Sequence, residues 1–284
     1  NVSSKSCWGL FIDMPFIPSA PEDIALFREY YSKIDFSFWD KELSQCFDQD
    51  MDEQSPDRCD AIRLYSTYLQ FIEVFFLNVF AITENDLTNL FIGNAELRKK
   101  IESQAKMEEY KEFFFERWVF GVQEKHLINN YEKKRSFYSR LFDECIKDYL
   151  SDYDLLNAYK HGFRTHSSGP VSISLAPNSG SVQPFLSFNY DSSVFFLSQM
   201  KDGKKVNEKI FEVTICFNWR YVARKSRIIL SMLENTVKIL LSNGQGIELN
   251  TFFELDENFI AKYSGNYRST NELYTIKQVR ISGE

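Results

Sequence analysis

The chain has 284 residues, enough for one large domain or two ordinary ones, and either arrangement can bury a substantial core. Hydrophobic residues make up 44% of the sequence and charged residues 26%, which excludes an intrinsically disordered chain. The net charge of -7 argues against nonspecific binding of nucleic acid by the whole surface, although it leaves room for a local basic patch. The 27 phenylalanines and 15 tyrosines predict a core built from aromatic rings.

The five cysteines are scattered, and no pair has the spacing of a zinc or redox motif. We therefore expect reduced thiols in a cytoplasmic protein, with no metal site and no cofactor. The most apolar run, residues 68–82, contains Glu73 and Asn78 and predicts a buried helix, so we expect no membrane partner. The apolar start of the chain contains Asp13 and lacks a basic leader, and we expect no signal peptide.

The first half of the chain has the signals of long helices. Ser55 can cap a helix that begins at Pro56, and apolar residues then recur at spacings of three and four as far as Phe80. A second start follows at Asn94, whose side chain can cap a helix reaching about Gly121. Both segments predict helices of a bundle.

The helical region continues over residues 123–150, which predict one further helix. Ser151 and Asp154 then have the spacing of an N-terminal cap, and they predict a separate short helix that ends at Gly162. No proline occurs in residues 58–168. We therefore expect three to four long antiparallel helices.

Alternating apolar residues follow the helical region and predict antiparallel strands. The predicted strands cover residues 171–175, 185–190, 193–199 and 210–217, with a possible last strand over residues 272–281. Asn218 can cap a strong helix over residues 219–242. The predicted fold class is α+β: mainly an antiparallel helical bundle with an inserted or appended small antiparallel β-sheet.

The predicted organisation has four parts along the chain. They are a helical bundle in residues 1–166, an antiparallel β insertion in residues 167–217, a helix returning to the bundle in residues 218–243 and a C-terminal extension in residues 244–284. A short antiparallel sheet cannot readily bury both of its faces alone, which favours a sheet inserted between bundle helices. Two separate domains that meet near residues 167–170 are the alternative.

Groups able to bind an anion or move a proton are concentrated at the end of the helical region. On a helix, Asn157, Lys160, His161 and Arg164 lie on or near one side, at spacings of three, four and seven. This cluster suits phosphate binding, or attack by a ribose hydroxyl with His161 as acid or base. Cations are also favoured at a helix end by its dipole, so a purely structural role is the alternative.

The pattern Asn-x-x-Lys-His-Gly near the end of a helical bundle resembles the HEPN superfamily. These are helical-bundle proteins common in bacterial toxin, defence and RNA-processing systems, and the resemblance covers about residues 57–164. Ribonuclease members carry an arginine, a polar residue directly after it and a histidine four to six residues after the arginine, which act across a dimer interface without metal. Asn157 matches the polar position and His161 the histidine, whereas Leu156 occupies the arginine position.

The resemblance implies a homodimeric, HEPN-like binding protein whose partner is RNA, a nucleotide or another protein. Leu156 makes binding the expected function rather than catalysis, since the arginine of the motif is missing. A metal-independent ribonuclease that uses His161 and Asn157 is one alternative. A purely structural interaction protein is the other.

A substitute for the missing arginine can come from elsewhere in the chain. Arg164 is one candidate, and the helix over residues 219–242 carries others: Arg220, Arg224 and Arg227 recur at spacings of four and three. These three form a basic stripe on one helix face. Such a stripe is also typical of the ordinary solvated side of an amphipathic helix.

Overall fold

The computed structural model describes residues 25, 29, 36–38, 41, 61–84, 86–114, 130–160, 165–175, 186–201, 207–241 and 267–277. Within these ranges the fold is α+β, a helical bundle with small antiparallel sheets, as the sequence predicts. Contacts divide the chain into two compact units. The first comprises Asn1–Gln45, Leu69–Ser151 and Arg224–Asp256, and the second comprises Cys46–Tyr68, Asp152–Ala223 and Glu257–Glu284.

Five α-helices lie in the described ranges from residue 61 onward. They are α1 (Ala61–Thr83), α2 (Asn94–Glu102), α3 (Gln104–Phe114), α4 (Tyr131–Lys160) and α5 (Trp219–Leu241), with a short 3-10 helix at Leu87–Phe91. By length and composition α1 could cross a membrane, but 78% of its most apolar window is buried inside the fold. Such burial is that of a core helix, which is what residues 68–82 predict.

Aromatic rings form the core of the first unit. The Phe75 ring of α1 lies 5.2 Å from the Phe114 ring of α3, at an interplanar angle of 87°. The Phe76 ring, also on α1, lies 5.2 Å from the Phe142 ring of α4, at 84°. Edge-to-face pairs of this kind add to the free energy gained by burying the rings. The high phenylalanine content is therefore used to join α1, α3 and α4.

The single helix predicted from Asn94 to about Gly121 is wrong, because Ser103 interrupts it. Ser103 leaves the helical conformation, with φ -80° and ψ 75°, and a new helix begins after it. The apolar pattern explains the break. Ile101 and Met107 are both buried but six residues apart, which on one continuous helix would place them on different faces. Two helices can turn both side chains into the core.

The short helix predicted to start at Ser151 is also wrong. α4 runs without interruption through Ser151 and Asp154 to Lys160. An N-terminal cap requires a non-helical residue whose side chain accepts from backbone N–H groups, and the Asp154 carboxylate instead has partners from strands. The predicted end at Gly162 lies outside the described residues.

All described strands belong to the second unit. β1 (Thr165–Ser168), β4 (Ser192–Lys201), β5 (Asn207–Phe217) and β6 (Tyr267–Lys277) form a four-stranded antiparallel sheet in the order β1-β4-β5-β6, and β2 (Val171–Leu175) pairs with β3 (Leu186–Tyr190). Alternate residues of a strand point to opposite faces. Val194, Ile215 and Arg268 are directly paired in register, so their side chains share one face.

The sheet combines three segments that the sequence pattern assigned to different parts of the chain. β1 begins at Thr165, within the predicted bundle, while β4 and β5 come from the predicted insertion. β6 comes from the predicted C-terminal extension and pairs with β5 along almost its whole length. β6, the last strand in the described ranges, therefore joins the sheet and brings residues from near the end of the sequence into the second unit.

A buried ion pair lies in the first unit between α5 and α4. Lys225 is only 3% exposed, and its Nζ lies 2.6 Å from Asp148 Oδ2 and 3.8 Å from Glu144 Oε2. Burial alone lowers the pKa of Lys225, but the two carboxylates outweigh it and the pKa is raised. The lysine therefore stays charged inside the unit.

Glu84 joins three side chains where α1 ends. Its carboxylate accepts hydrogen bonds from Lys100 Nζ at 2.7 Å, Tyr110 Oη at 3.0 Å and Asn89 Nδ2 at 3.1 Å. Burial raises the pKa of Glu84, but the hydrogen bonds from Lys100 and Tyr110 outweigh it, so the pKa is lowered. Burial and the same carboxylate raise the pKa of Tyr110 to about 12.

We expect Glu84→Gln to reduce the free energy of unfolding by about 1–2 kcal/mol near neutral pH, because the hydrogen bonds to a charged acceptor weaken. A lowered pKa contributes stability above the unfolded value of about 4.3, which is lost as the pH falls through the folded value. Urea unfolding of parent and variant should therefore converge in acid. Glu102→Gln, which weakens an exposed pair with Arg98, is the control, and an equal loss at every pH would contradict the prediction.

Candidate functional site

The predicted anion-binding cluster begins in the last turns of α4. Asn157 is half-buried, and no described residue hydrogen-bonds to its side-chain amide. Lys160 is the last residue of the helix. His161 and Arg164 lie outside the described residues. Of the four side chains predicted to share one face of a helix, only that of Asn157 is described.

Leu156 and Asn157 face different surroundings. Leu156 is 0% exposed, as is Leu155, and both belong to the buried face of α4. Consecutive helical residues are turned by about 100° from each other, which brings Asn157 to the partly exposed side. The position where the predicted resemblance would require an arginine is thus a buried position in this fold.

The three arginines of α5 follow the predicted helical period. Arg220 is exposed, and Arg224 and Arg227 are half-buried. Val222, on the other side of the helix, is fully buried, and so is Ala223, which lies beside the arginines. Within the second unit, no hydrogen bond or ion pair between described residues joins Arg220 to Asn157. Its guanidinium lies over the Trp219 ring instead, 5.2 Å from the centroid.

Asn218 caps α5, as the sequence predicts. Its side-chain oxygen accepts a hydrogen bond from the Tyr221 backbone N–H at 3.1 Å, and its amide donates to Asp191. Burial raises the pKa of Asp191, although Arg220 and Asn218 act against that rise. The start of the arginine-bearing helix is therefore held in the second unit by an internal polar network.

A second polar group in this unit is centred on Asp152 of α4. Asp152 is 2% exposed. Its Oδ2 accepts a hydrogen bond from Tyr65 Oη of α1 at 2.6 Å, and its Oδ1 accepts one from Arg268 Nη1 of β6 at 2.8 Å. One buried carboxylate thereby connects the start of α1, the last third of α4 and the final strand. We call Asp152, Asp154, Arg268 and Tyr65 the Asp152 cluster.

Arg268 lies between the two carboxylates of the Asp152 cluster and the sheet. Its Nη2 is 3.7 Å from Asp154 Oδ2, an ion pair longer than a hydrogen bond. The same Asp154 oxygen accepts from Ser198 Oγ at 3.2 Å. Behind the guanidinium lies the Phe196 ring, with its centroid 6.0 Å from the guanidinium carbon. The Arg268 side chain is 26% exposed, so it also reaches solvent.

His166 lies on the opposite face of the sheet from Arg268. It is exposed and pairs in register with Phe195, whereas Arg268 is aligned with Val194 through Ile215. Adjacent strand residues point to opposite faces, which separates His166 from the Asp152 cluster. Among the described residues, no group of three or more His, Cys, Asp or Glu side chains is arranged to hold a metal ion.

Sequence reasoning missed the Asp152 cluster. Asp152 and Asp154 were visible as acidic residues, but the spacing of Asp154 from Ser151 favoured a helix cap. Arg268 stands in a strand with little apolar alternation, 116 residues from Asp152, and no local pattern connects the two. Two carboxylates on one helix with no cation at a spacing of three or four were the available signal for a distant partner.

No protein-family model, no curated protein and no solved structure matches this chain. The resemblance to the HEPN superfamily therefore remains a prediction, and it depends on the short pattern Asn-x-x-Lys-His-Gly at the end of a helical bundle.

Proposed function

We propose that this chain is a HEPN-like binding protein that recognises RNA or a nucleotide through the end of α4 and does not cleave it. The observation that carries the choice of binding over catalysis is the complete burial of Leu156. An arginine that stabilises a phosphorane must lie against the reacting phosphate. A side chain at position 156 enters the core instead, where an arginine would bury its charge at a high cost in free energy.

The binding function is supported by the polar residues that come directly after Leu156. Asn157 offers a donor and an acceptor on the partly exposed side of α4, with no partner among the described residues. Lys160 follows one helical turn later, and Arg164 adds a second cation four residues further along the sequence. Fixed positive charge and an amide at one helix end are suited to a phosphodiester.

Lys160→Ala combined with Arg164→Ala should weaken the binding of a fluorescein-labelled single-stranded RNA by roughly tenfold or more. Two lost phosphate contacts should also reduce the slope of log K against log salt by about 1.4. Fluorescence anisotropy over a salt series measures both quantities. Lys99→Ala combined with Arg140→Ala removes the same two kinds of charge from exposed positions of the first unit and is the matched control. Equal weakening in both double variants, or no binding by the parent, would contradict the proposal.

A cleavage assay separates binding from catalysis. Mixed RNAs incubated in EDTA with the parent and with His161→Ala should stay intact in both samples. Cleavage by the parent that disappears in His161→Ala would replace the proposal with a metal-independent ribonuclease.

Because HEPN-like proteins are expected to pair through their bundle, light scattering should give about twice the chain mass of 33.5 kDa.

A further inference from the structure

We infer that Arg268 is a phosphate-binding residue of the same site, donating N–H groups to a phosphodiester of the bound RNA. This inference rests on the proposed function and assigns it a residue from the last strand of the chain. Unlike the cations at the end of α4, Arg268 is held in place by contacts with other described residues.

Arg268 has hydrogen-bonding capacity that its protein contacts leave unused. A guanidinium carries five N–H donors in a planar fork. Among the described residues, only Asp152 accepts a hydrogen bond from it, since Asp154 is too distant at 3.7 Å. The side chain is 26% exposed, so the remaining donors can meet a ligand from solvent.

The guanidinium is also held in place before any ligand arrives. Asp152 is itself fixed by the 2.6 Å hydrogen bond from Tyr65, and the Phe196 ring lies beside the guanidinium. A long side chain that is already ordered loses less conformational entropy on binding. The arrangement suits recognition of a planar or tetrahedral oxyanion, for which arginine is well shaped.

Arg268 lies close to the end of α4. It contacts Asp154, and Asn157 is three residues further along the same helix, so the two helix positions are neighbours about 5–6 Å apart. A phosphate between Arg268 and Asn157 can therefore receive donors from both. Among the described residues, Asn157 has no hydrogen-bond partner for its amide, and Arg268 donates to Asp152 alone.

The net charge of the Asp152 cluster determines which residues of the site can attract a phosphate. Asp152 and Asp154 together outweigh the single charge of Arg268, so this cluster by itself does not attract an anion. The net attraction must come from cations outside the cluster, a role that the proposed function gives to Lys160 and Arg164, and Arg268 supplies orientation. Asp154→Asn should accordingly tighten RNA binding severalfold, because it removes a negative charge close to the phosphate while the amide can still accept from Ser198.

The direct test is the double variant Arg268→Gln with Asp152→Asn, compared with Asp152→Asn alone. Relative to the parent, the double variant removes one positive and one negative charge, so its net charge is unchanged. It also leaves no buried carboxylate at position 152 without a cation. We expect roughly fivefold weaker RNA binding and a salt slope smaller by about 0.7, the value for one phosphate on a single strand. Asp152→Asn alone keeps Arg268 and is the reference against which both losses are measured.

Binding is measured with the same labelled RNA and by its competition with a nucleoside monophosphate. Thermal melting of each variant checks that it is folded. Unchanged affinity and slope in the double variant, together with loss of binding in Lys160→Ala with Arg164→Ala, would overturn the role of Arg268 and leave the proposed function standing. No binding by the parent would overturn both. If the double variant does not fold, Arg268→Lys takes its place. Lysine keeps the positive charge but lacks the planar set of N–H donors of the guanidinium. An affinity equal to that of the parent would therefore overturn the inference.

Discussion

Arg268→Ala should reduce the free energy of unfolding by about 3–5 kcal/mol, the cost of removing the cation that compensates a buried carboxylate. Asp152 is 2% exposed and cannot turn to water when the guanidinium is removed. Asp152→Ala should cost less, about 1–3 kcal/mol, because it removes the buried charge. It removes the carboxylate that accepts hydrogen bonds from the partly exposed Arg268 and from the Tyr65 hydroxyl. The more buried member of the pair therefore decides which substitution is worse.

Urea unfolding of both variants measures this difference. Lys209→Ala is the matched control, since it breaks an ion pair of the same sheet, with Glu272, in which both side chains are more than a third exposed. Exposed pairs contribute at most about 1 kcal/mol. Equal losses for Arg268→Ala and Lys209→Ala would mean that the Asp152 carboxylate is not held in a desolvated position.

Asp148→Ala is the second substitution with a large expected effect, again about 3–5 kcal/mol. It removes the carboxylate that lies 2.6 Å from the buried ammonium of Lys225, while Glu144 is 3.8 Å away. Lys225→Met should cost less, about 1–3 kcal/mol, because methionine keeps most of the apolar stem and the remaining carboxylates are less buried than the lysine. Here too the larger loss of stability is expected when the partner of the more buried residue, Lys225, is removed.

The pH dependence of this pair follows from the raised pKa of Lys225. A raised pKa contributes stability that is complete below the unfolded value of about 10.4 and is lost as the pH rises through the folded value. The difference between parent and Lys225→Met should therefore be constant through neutral pH and shrink only in strong alkali. Urea unfolding over that range measures it, with Glu112→Ala, which breaks an exposed pair with Arg135, as the control. A difference that already disappears near neutral pH would contradict the charged state of Lys225.

Elements with a strong local period were predicted well. β2 has the predicted bounds, and α5 begins where Asn218 was expected to cap it. Alternation in strands and the three-to-four spacing in helices report which side chains will be buried, and burial stabilises those elements. The same reasoning predicted a buried helix over residues 68–82, and 78% of the most apolar window of α1 is buried.

The errors occurred where a local signal competed with a tertiary contact. Ser151 and Asp154 have cap spacing, yet α4 continues because its acidic residues are satisfied by Tyr65, Ser198 and Arg268. The break at Ser103 was missed because each half of the segment has a helical period of its own. The strand over residues 272–281 was placed several residues too late, since β6 takes its bounds from pairing with β5.

The sequence by itself determined the fold class, the main helices and strands, and the end of α4 as the place where Asn157 and Lys160 lie. Those properties come from the order of apolar and polar residues over a few turns. Only the tertiary structure decided that Leu156 enters the core and that Arg268 lies beside the last third of α4. Asp152 has its partners 87 residues before it and 116 residues after it, and pairs at such separations leave no periodic trace in the chain. They exist because burying a carboxylate requires a hydrogen-bonded partner, and the fold supplies one from α1 and one from β6.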